Sequence, residues 1–263
     1  MASYDIIGNI AILKGEVNDK KKSRKKSKNE KLKQAKELLK IPSIKTIVER
    51  IGNVHGRLRT IKIKHILGEK NLIALHKENG CIFKFDISTC YFSPRLSGER
   101  KDISKKIKTT DRVLVMFAGV GVYPIVIYKN KKPKEIVSVE IGRECCKYAI
   151  ENNKLNNIPF GKIKVIQGDV KKKVNKSLGK FDVIVMARPN LKESFLKQAL
   201  ICSKKSTKIF YNGFGNEEEK DKIIEMLVKE AKEFGKKIKI LKILKAGDIA
   251  PYKFRWRIEM KVL

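Results

Sequence analysis

From Arg112 to the C-terminus, short apolar runs alternate with longer amphipathic stretches. The runs predict strands over 112–117, 135–140, 163–167, 181–187 and 206–212. Between them, apolar residues recur at helical spacing and predict helices near 121–129, 143–155, 191–202 and 216–234. Alternation of this kind predicts a parallel sheet covered by helices on both faces. The last two runs, 237–246 and 253–262, have no helix between them and predict a hairpin at the sheet edge.

Upstream of Arg112 the pattern is mixed. Residues 4–14 predict a short strand and turn. Residues 29–40 place Leu32, Ala35, Leu38 and Leu39 on one helical face, and 44–51 predict a second helix. Alternating runs over 58–67, 72–76 and 81–86 predict strands. The turn at Glu78–Gly80 (ENG) joins the last two into a hairpin. The pattern therefore divides the chain into a small α+β domain over 1–100 and an α/β domain over 101–263.

Charge adds a partner to this picture. The chain of 263 residues has 61 basic and 28 acidic side chains, a formal charge of +33. Residues 1–100 hold 23 basic and 10 acidic residues, and 101–263 hold 38 and 18, so the excess is not confined to a tail. Such a field favours a polyanion, nucleic acid before membrane surface. The plain alternative is a composition rich in Lys and Ile throughout. The run 18–32 (NDKKKSRKKSKNEKL) reads either as a solvated face or as a phosphate-contacting segment. No apolar run reaches the length of a membrane span. The opening MASYDIIGNIAIL has neither a basic leader nor a sustained apolar core, so a cytoplasmic protein is expected. The five cysteines show no C-x-x-C spacing and there are only three histidines, which argues against zinc. Cys145 and Cys146 read as small packed residues, and a Cys81–Cys90 bridge is disfavoured in a reducing compartment.

The chemistry is concentrated in turns. Val113–Gly121 (VLVMFAGVG) runs from an apolar strand into a glycine turn. Glu140 closes the next apolar run nineteen residues after Gly121. Glycines allow a ligand to approach the backbone closely, and an acid at this place can accept both hydroxyls of a ribose. A dinucleotide fingerprint needs a third glycine, where this chain has Val122, Tyr123 and Pro124. The turn thus favours a nucleoside ligand without phosphate, and S-adenosylmethionine is the common one. Ligands of such sheets lie across the carboxyl ends of the strands. Four turns should therefore line the site. The first is Met116–Gly121, with Met116, Phe117, Ala118, Gly119 and Gly121. The second is Glu140 and Ile141. The third is Gln167–Val170, with Asp169 and Val170, where a carboxylate can accept from an adenine amino group. The fourth is Met186–Asn190, with Ala187, Arg188 and Pro189, at the place of a methyl-accepting base. Asp169 reads equally well as a helix N-cap. Five parallel strands and a terminal hairpin form the layout of S-adenosylmethionine-dependent methyltransferases.

A second constellation, Tyr91–Arg100 (YFSPRLSGER), precedes the sheet. Its plain reading is a helix start with a surface ion pair between Arg95 and Glu99.

YFSPRL-x-x-ER, preceded by HKENG and followed by MFAGVG, resembles the archaeal and eukaryotic tRNA (guanine-37-N1)-methyltransferases of the Rossmann-type class. The resemblance covers roughly residues 3–263, with SYDIIGNIAIL like the start of that family's middle domain. It implies a class I methyltransferase sheet with a small N-terminal α+β domain that contacts tRNA. It also implies S-adenosylmethionine as cofactor, the tRNA anticodon loop as partner, and action by a monomer. By resemblance Glu99 is the general base on guanine N1, and Arg59 stabilises charge developing at O6. Tyr91 and Arg100 lie near the cofactor and target, and Arg95 contacts substrate. Glu140 is the ribose acid and Asp169 the adenine-side acid. The chemistry agrees: N1 of guanine is protonated and a poor nucleophile, so a base and a cation near O6 both help.

The sequence departs from the family at three places. By resemblance its opening corresponds to the middle domain, so the extra domain that in some members touches the outer corner of tRNA is not expected. Val115 stands where many members carry an acid. The family's Asn-Leu-Pro turn is Ala187-Arg188-Pro189. An archaeal subgroup with a similar departure resembles bifunctional enzymes that also methylate C7 of the tricyclic wyosine precursor, 4-demethylwyosine. Both activities are expectations here, with N1 methylation first. The alternatives are a methyltransferase for the wyosine precursor alone and a non-catalytic RNA-binding protein with a decayed methyltransferase fold.

If the basic run contacts phosphate, neutralising Lys20, Lys21, Lys22 and Arg24 together lowers tRNA affinity and flattens its salt dependence. A filter-binding salt titration that matches the parent would leave the run as a solvated loop.

Overall fold

The computed structural model describes residues 4–14 and 28–263, so residues 18–27 of the basic run, with Lys20, Lys21, Lys22 and Arg24, lie outside the described residues. Contacts within the chain divide it into two compact units, Met1–Pro94 and Arg95–Leu263.

The first unit opens with β1 (Tyr4–Ile7) and β2 (Ile10–Lys14), an antiparallel pair turned at Gly8. Gly8 has φ +57, and a Cβ there would lie 2.2 Å from the carbonyl oxygen of Leu75, so only glycine fits. Helix α1 (Lys28–Leu39) buries Ala35 and Leu38, while Leu32, expected on the same face, is exposed. The segment expected as a second helix over 44–51 is instead part of β3 (Thr46–His55). It pairs in parallel with β2 and antiparallel with β4 (Thr60–Gly68). Ile44, Ile47 and Val48 have helical spacing. However, Thr46, Ile47 and Val48 are a β-branched run and are fully buried between the two neighbouring strands, and that burial decides in favour of sheet. The remaining strands, β5 (Ile73–Glu78) and β6 (Cys81–Asp86), form the expected hairpin. Its two-residue turn uses Asn79 at φ +50 and Gly80 at φ +72, the primed turn that matches strand twist.

The second unit starts with α2 (Ser97–Lys105), then strand β7 (Arg112–Met116) and helix α3 (Val122–Lys131). There follow β8 (Glu135–Glu140), α4 (Arg143–Leu155), β9 (Ile163–Gln167), α5 (Val170–Lys173) and β10 (Phe181–Met186). The chain ends with α6 (Leu196–Ile201), β11 (Ser203–Gly215), α7 (Glu217–Glu233), β12 (Ile238–Ala250) and β13 (Lys253–Val262). The sheet order is β12-β13-β11-β10-β7-β8-β9. Strands β7 to β11 are parallel, and β13 runs antiparallel between β11 and the edge strand β12. The terminal hairpin is therefore at the edge, as the run pattern predicts.

Each central strand is buried on both faces. Leu114 and Met116 of β7, Val137 and Val139 of β8, and Ile184 and Met186 of β10 share a core with Leu196, Leu200 and Leu227 from α6 and α7. The order of strand addition reverses between β7 and β10, which are parallel neighbours although two strands separate them in sequence. Their carboxyl ends form the crevice where ligands of such sheets sit. Helix α6 starts at Leu196 rather than near 191, because residues 187–195 are held as a loop by an internal arginine. Among the described residues no helix is long and apolar enough to cross a membrane. All five cysteines are free and buried, so Cys81 and Cys90 form no bridge.

Candidate active site

The first turn is built by the backbone. Phe117, at φ +63, turns the chain out of β7, and Gly119 and Gly121 follow at φ +57 and +85. The Ala118 amide donates to the Val139 carbonyl at 3.1 Å, which ties the turn to β8. Gly121 caps α3, and a Cβ there would press against Cβ of Ala149 on α4 at 3.2 Å. Asn152 of α4 donates to the Val120 carbonyl at 3.0 Å from a fully buried position. Sequence reasoning missed this residue, since its partner lies 32 positions away.

Glu140, at the end of β8, closes the second turn. One oxygen accepts from the Gly119 amide at 2.9 Å and the other from the Gly142 amide at 2.8 Å. Burial pushes its carboxyl above the ordinary range, and the amides of Gly142, Gly119 and Ile141 pull it back. The Gly119 amide, which a phosphate would require, is thus already bonded to a carboxylate. Asp169 lies one turn further along the sheet and caps α5, accepting from the Lys171 amide at 2.9 Å. The Gly168 amide donates to the Glu140 carbonyl at 2.8 Å, so second and third turns are joined. The side chains of Met116 and Val170 point into the core, leaving their backbone at the turns.

The fourth turn departs from expectation. Ala187 and Pro189 are half-buried after β10, but the Arg188 side chain is buried and used. Its guanidinium donates to the carbonyls of Asn212 at 3.1 Å, Leu191 at 2.5 Å and Glu193 at 2.6 Å. Burial lowers its pKa, while Tyr211 and Glu230 oppose the shift. Arg188 was expected at the substrate base. It acts instead as a strut that pins loop 187–195 to β11, because a charge removed from water must find partners.

In the second constellation Leu96, Glu99 and Arg100 are buried and the rest is not. Arg95 is exposed in the turn Pro94–Leu96, but Glu99, on the first turn of α2, is only 9 % exposed, so the surface ion pair is not the arrangement found. Glu99 Oε1 accepts from the Tyr123 hydroxyl at 3.1 Å, and Oε2 is buried with no partner. Arg100, Arg255 and Arg257 are buried nearby. Burial pushes the Glu99 carboxyl above its ordinary range. The charge of Arg255, the Tyr123 hydrogen bond and the charges of Arg257 and Arg100 oppose that rise. Arg257 is paired with Asp102 and, at 3.0 Å, with Glu259. Sequence reasoning missed Tyr123, Arg255 and Arg257. The signal was the alternation RWRIE, which in a strand puts Arg255, Arg257 and Glu259 on one face and Trp256 and Ile258 on the other.

Within the first unit, Arg59 sits at φ +56 in the turn between β3 and β4, and its guanidinium lies 3.8 Å over the ring of Tyr91. Tyr91 is therefore a cation–π partner of Arg59 there.

A sheet of this order, with a glycine turn after its first strand and an acid after its second, defines the class I, Rossmann-like methyltransferases that depend on S-adenosylmethionine. The profile of the TRM5/TYW2 methyltransferase domain matches residues 74–241. The chain belongs to this family. It is 32 % identical over 313 aligned positions to a Nanoarchaeum equitans protein, covering 99 % of this chain and all of that one. That relative is named tRNA (guanine(37)-N(1))/4-demethylwyosine(37)-methyltransferase Taw22. Trm5b from Pyrococcus abyssi superposes with a TM-score of 0.84 at 30 % identity, over 99 % of this chain and 74 % of that structure. Methanocaldococcus jannaschii Trm5 in complex with adenosine superposes at 0.78 and 30 % identity, over the same shares.

Arg188→Met keeps length and removes the strut. Each carbonyl left buried without a donor costs about 1–3 kcal/mol, so the urea midpoint falls and loop 187–195 becomes open to proteolysis. An unchanged midpoint would return Arg188 to the list of substrate contacts.

Proposed function

We propose that this chain is a tRNA methyltransferase that transfers a methyl group from S-adenosylmethionine to N1 of guanosine 37, beside the anticodon. One observation carries the reading. Glu99 is a buried carboxylate with one oxygen held by Tyr123 and the other unpartnered, a proton acceptor without its donor. When bound, S-adenosylmethionine supplies a methyl group on a sulfonium centre, open to in-line displacement.

This chain's residues do the rest. Glu140 would hold the ribose hydroxyls, Asp169 would accept from the adenine amino group, and the backbone from Met116 to Gly121, with Ile141, Val170 and Ala187, would line the nucleoside. N1 of guanine carries a proton and attacks poorly while it does. Glu99 Oε2 takes that proton, the electron pair of the N1–H bond stays on the ring, and N1 uses it to form the new bond to the methyl carbon while the methyl–sulfur bond breaks with its pair on sulfur, leaving a neutral thioether. Arg59 provides a cation for the negative charge that spreads to O6. Arg95 and Pro189 contact the substrate, Tyr91 and Arg100 support the site, and the base reaches it flipped out of the anticodon loop. The first unit and the basic run serve as contact surface for tRNA, and the enzyme works as a cytoplasmic monomer.

A second activity, methylation of 4-demethylwyosine at the same nucleotide, is favoured by Ala187. A methyl group replaces the amide that would grip guanine alone, so a larger ring system is admitted. The name of the Nanoarchaeum equitans relative, which carries both activities, supports this.

Glu140→Ala weakens S-adenosylmethionine binding, measured by calorimetry, by on the order of 1.5–3 kcal/mol, the value of hydrogen bonds to a charged group. Unchanged affinity in a folded variant would remove the ribose role. Glu99→Gln lowers the single-turnover rate at neutral pH by roughly two to four orders of magnitude and leaves both substrates bound. In the parent, the rate rises with pH as the Glu99 carboxyl, held above its ordinary range, loses its proton. The glutamine variant lacks that rise. A variant within a few-fold of the parent would hand the proton to water.

A further inference from the structure

Glu99 is supported from three elements of the second unit, and this support has a consequence for which of its oxygens can react. Tyr123 stands in the first turn of α3, two residues past the glycine cap. Its ring is 5 % exposed and its hydroxyl ends 3.1 Å from Glu99 Oε1. On α2 itself, Arg100 flanks Glu99, with its guanidinium 5.8 Å from the centre of the Tyr123 ring. From β13, Arg255 and Arg257 contribute positive charge. Arg257 is itself held by Asp102 and Glu259, and Lys106 bonds both of these acids. α2 and α3 are also joined by a hydrogen bond from Asn130 to the Ser104 hydroxyl at 2.6 Å. This ties the two helices more than one helical turn along α2 from Glu99, so the Tyr123 hydroxyl is not their sole polar link.

We infer that Tyr123 is a positioning residue that engages Oε1 of Glu99 and thereby leaves Oε2 as the oxygen that accepts the substrate proton. The inference rests on the assignment of Glu99 as general base. A carboxylate free to rotate presents either oxygen and spends part of its time turned away. A phenol donating to one oxygen selects a single orientation, and it favours the ionised form that can act as a base. The phenol can only donate in this role. Burial, and then the charge of Glu99, hold its proton far above physiological pH. The arginines act on Glu99 through their charge. Arg257 is at the same time paired with Asp102 and Glu259.

The test is Tyr123→Phe, which keeps the ring in its packed place. Loss of one hydrogen bond to the charged form moves the acid limb of the single-turnover rate upward by about one pH unit. The plateau rate falls while calorimetric affinity for S-adenosylmethionine stays close to the parent, and the melting temperature falls mainly above the limb, where the Glu99 carboxyl is ionised. A purely structural role predicts a melting temperature lowered on both sides of the limb, with the limb in place. The double variant Tyr123→Phe with Glu99→Gln reads the coupling directly. With no base to orient, removal of the hydroxyl produces no further loss of rate. An unmoved limb in Tyr123→Phe, or full additivity in the double variant, overturns the inference while leaving Glu99 as base. A parental rate in Glu99→Gln alone overturns the base assignment itself, and the two failures are distinct.

Discussion

The carboxylate of Glu140 bonds to the amide of Gly119 on one side and the amide of Gly142 on the other. The site depends on this bridge. It joins the turn after β7 to the turn after β8, and the Gly168 amide on the Glu140 carbonyl carries the connection to the turn after β9. Three loops that would otherwise move independently are tied by short-range hydrogen bonds at one point of the sheet. The acid also occupies the Gly119 amide, which is then not free for a phosphate oxygen. The charge is held out of water at a cost, and the backbone donors offset that cost.

The Glu99 carboxylate is placed by a different logic. It has a donor on one oxygen only, where both oxygens of Glu140 have one, and its second oxygen faces no donor. Burial favours the neutral form and the nearby arginines favour the charged form, so the group is suited to gaining and losing a proton. A carboxylate that binds should be saturated with donors, and one that accepts a proton should not be. The two glutamates differ in this way, and the difference supports the separate roles proposed for them.

The sheet domain was legible in the sequence because its strands are buried on both faces. Such strands appear as unbroken apolar runs, and their turns are marked by glycine and by acids at the strand ends. The first unit was less legible. Ile44, Ile47 and Val48 fit a helical period, and only pairing with β2 and β4 makes them strand. Spacing within ten residues carries no information about partners elsewhere in the chain. The same limit hid part of the site. Arg188 reads as a cation for substrate until the carbonyls of Leu191, Glu193 and Asn212 are brought around it. Tyr123 reads as one more apolar residue after a glycine turn until Glu99 reaches it from α2. Turns that bind through backbone and a single acid can be recognised locally, whereas buried charged networks are defined by tertiary contacts.

The central claim is chemical, and nucleoside mass spectrometry tests it most directly. The protein is incubated with S-adenosylmethionine carrying an isotopic methyl label and an unmodified tRNA transcript, which is then digested and its nucleosides separated. The account predicts label in 1-methylguanosine from position 37, and none when the transcript carries adenosine there. A protein that binds the cofactor yet leaves no labelled 1-methylguanosine would contradict it.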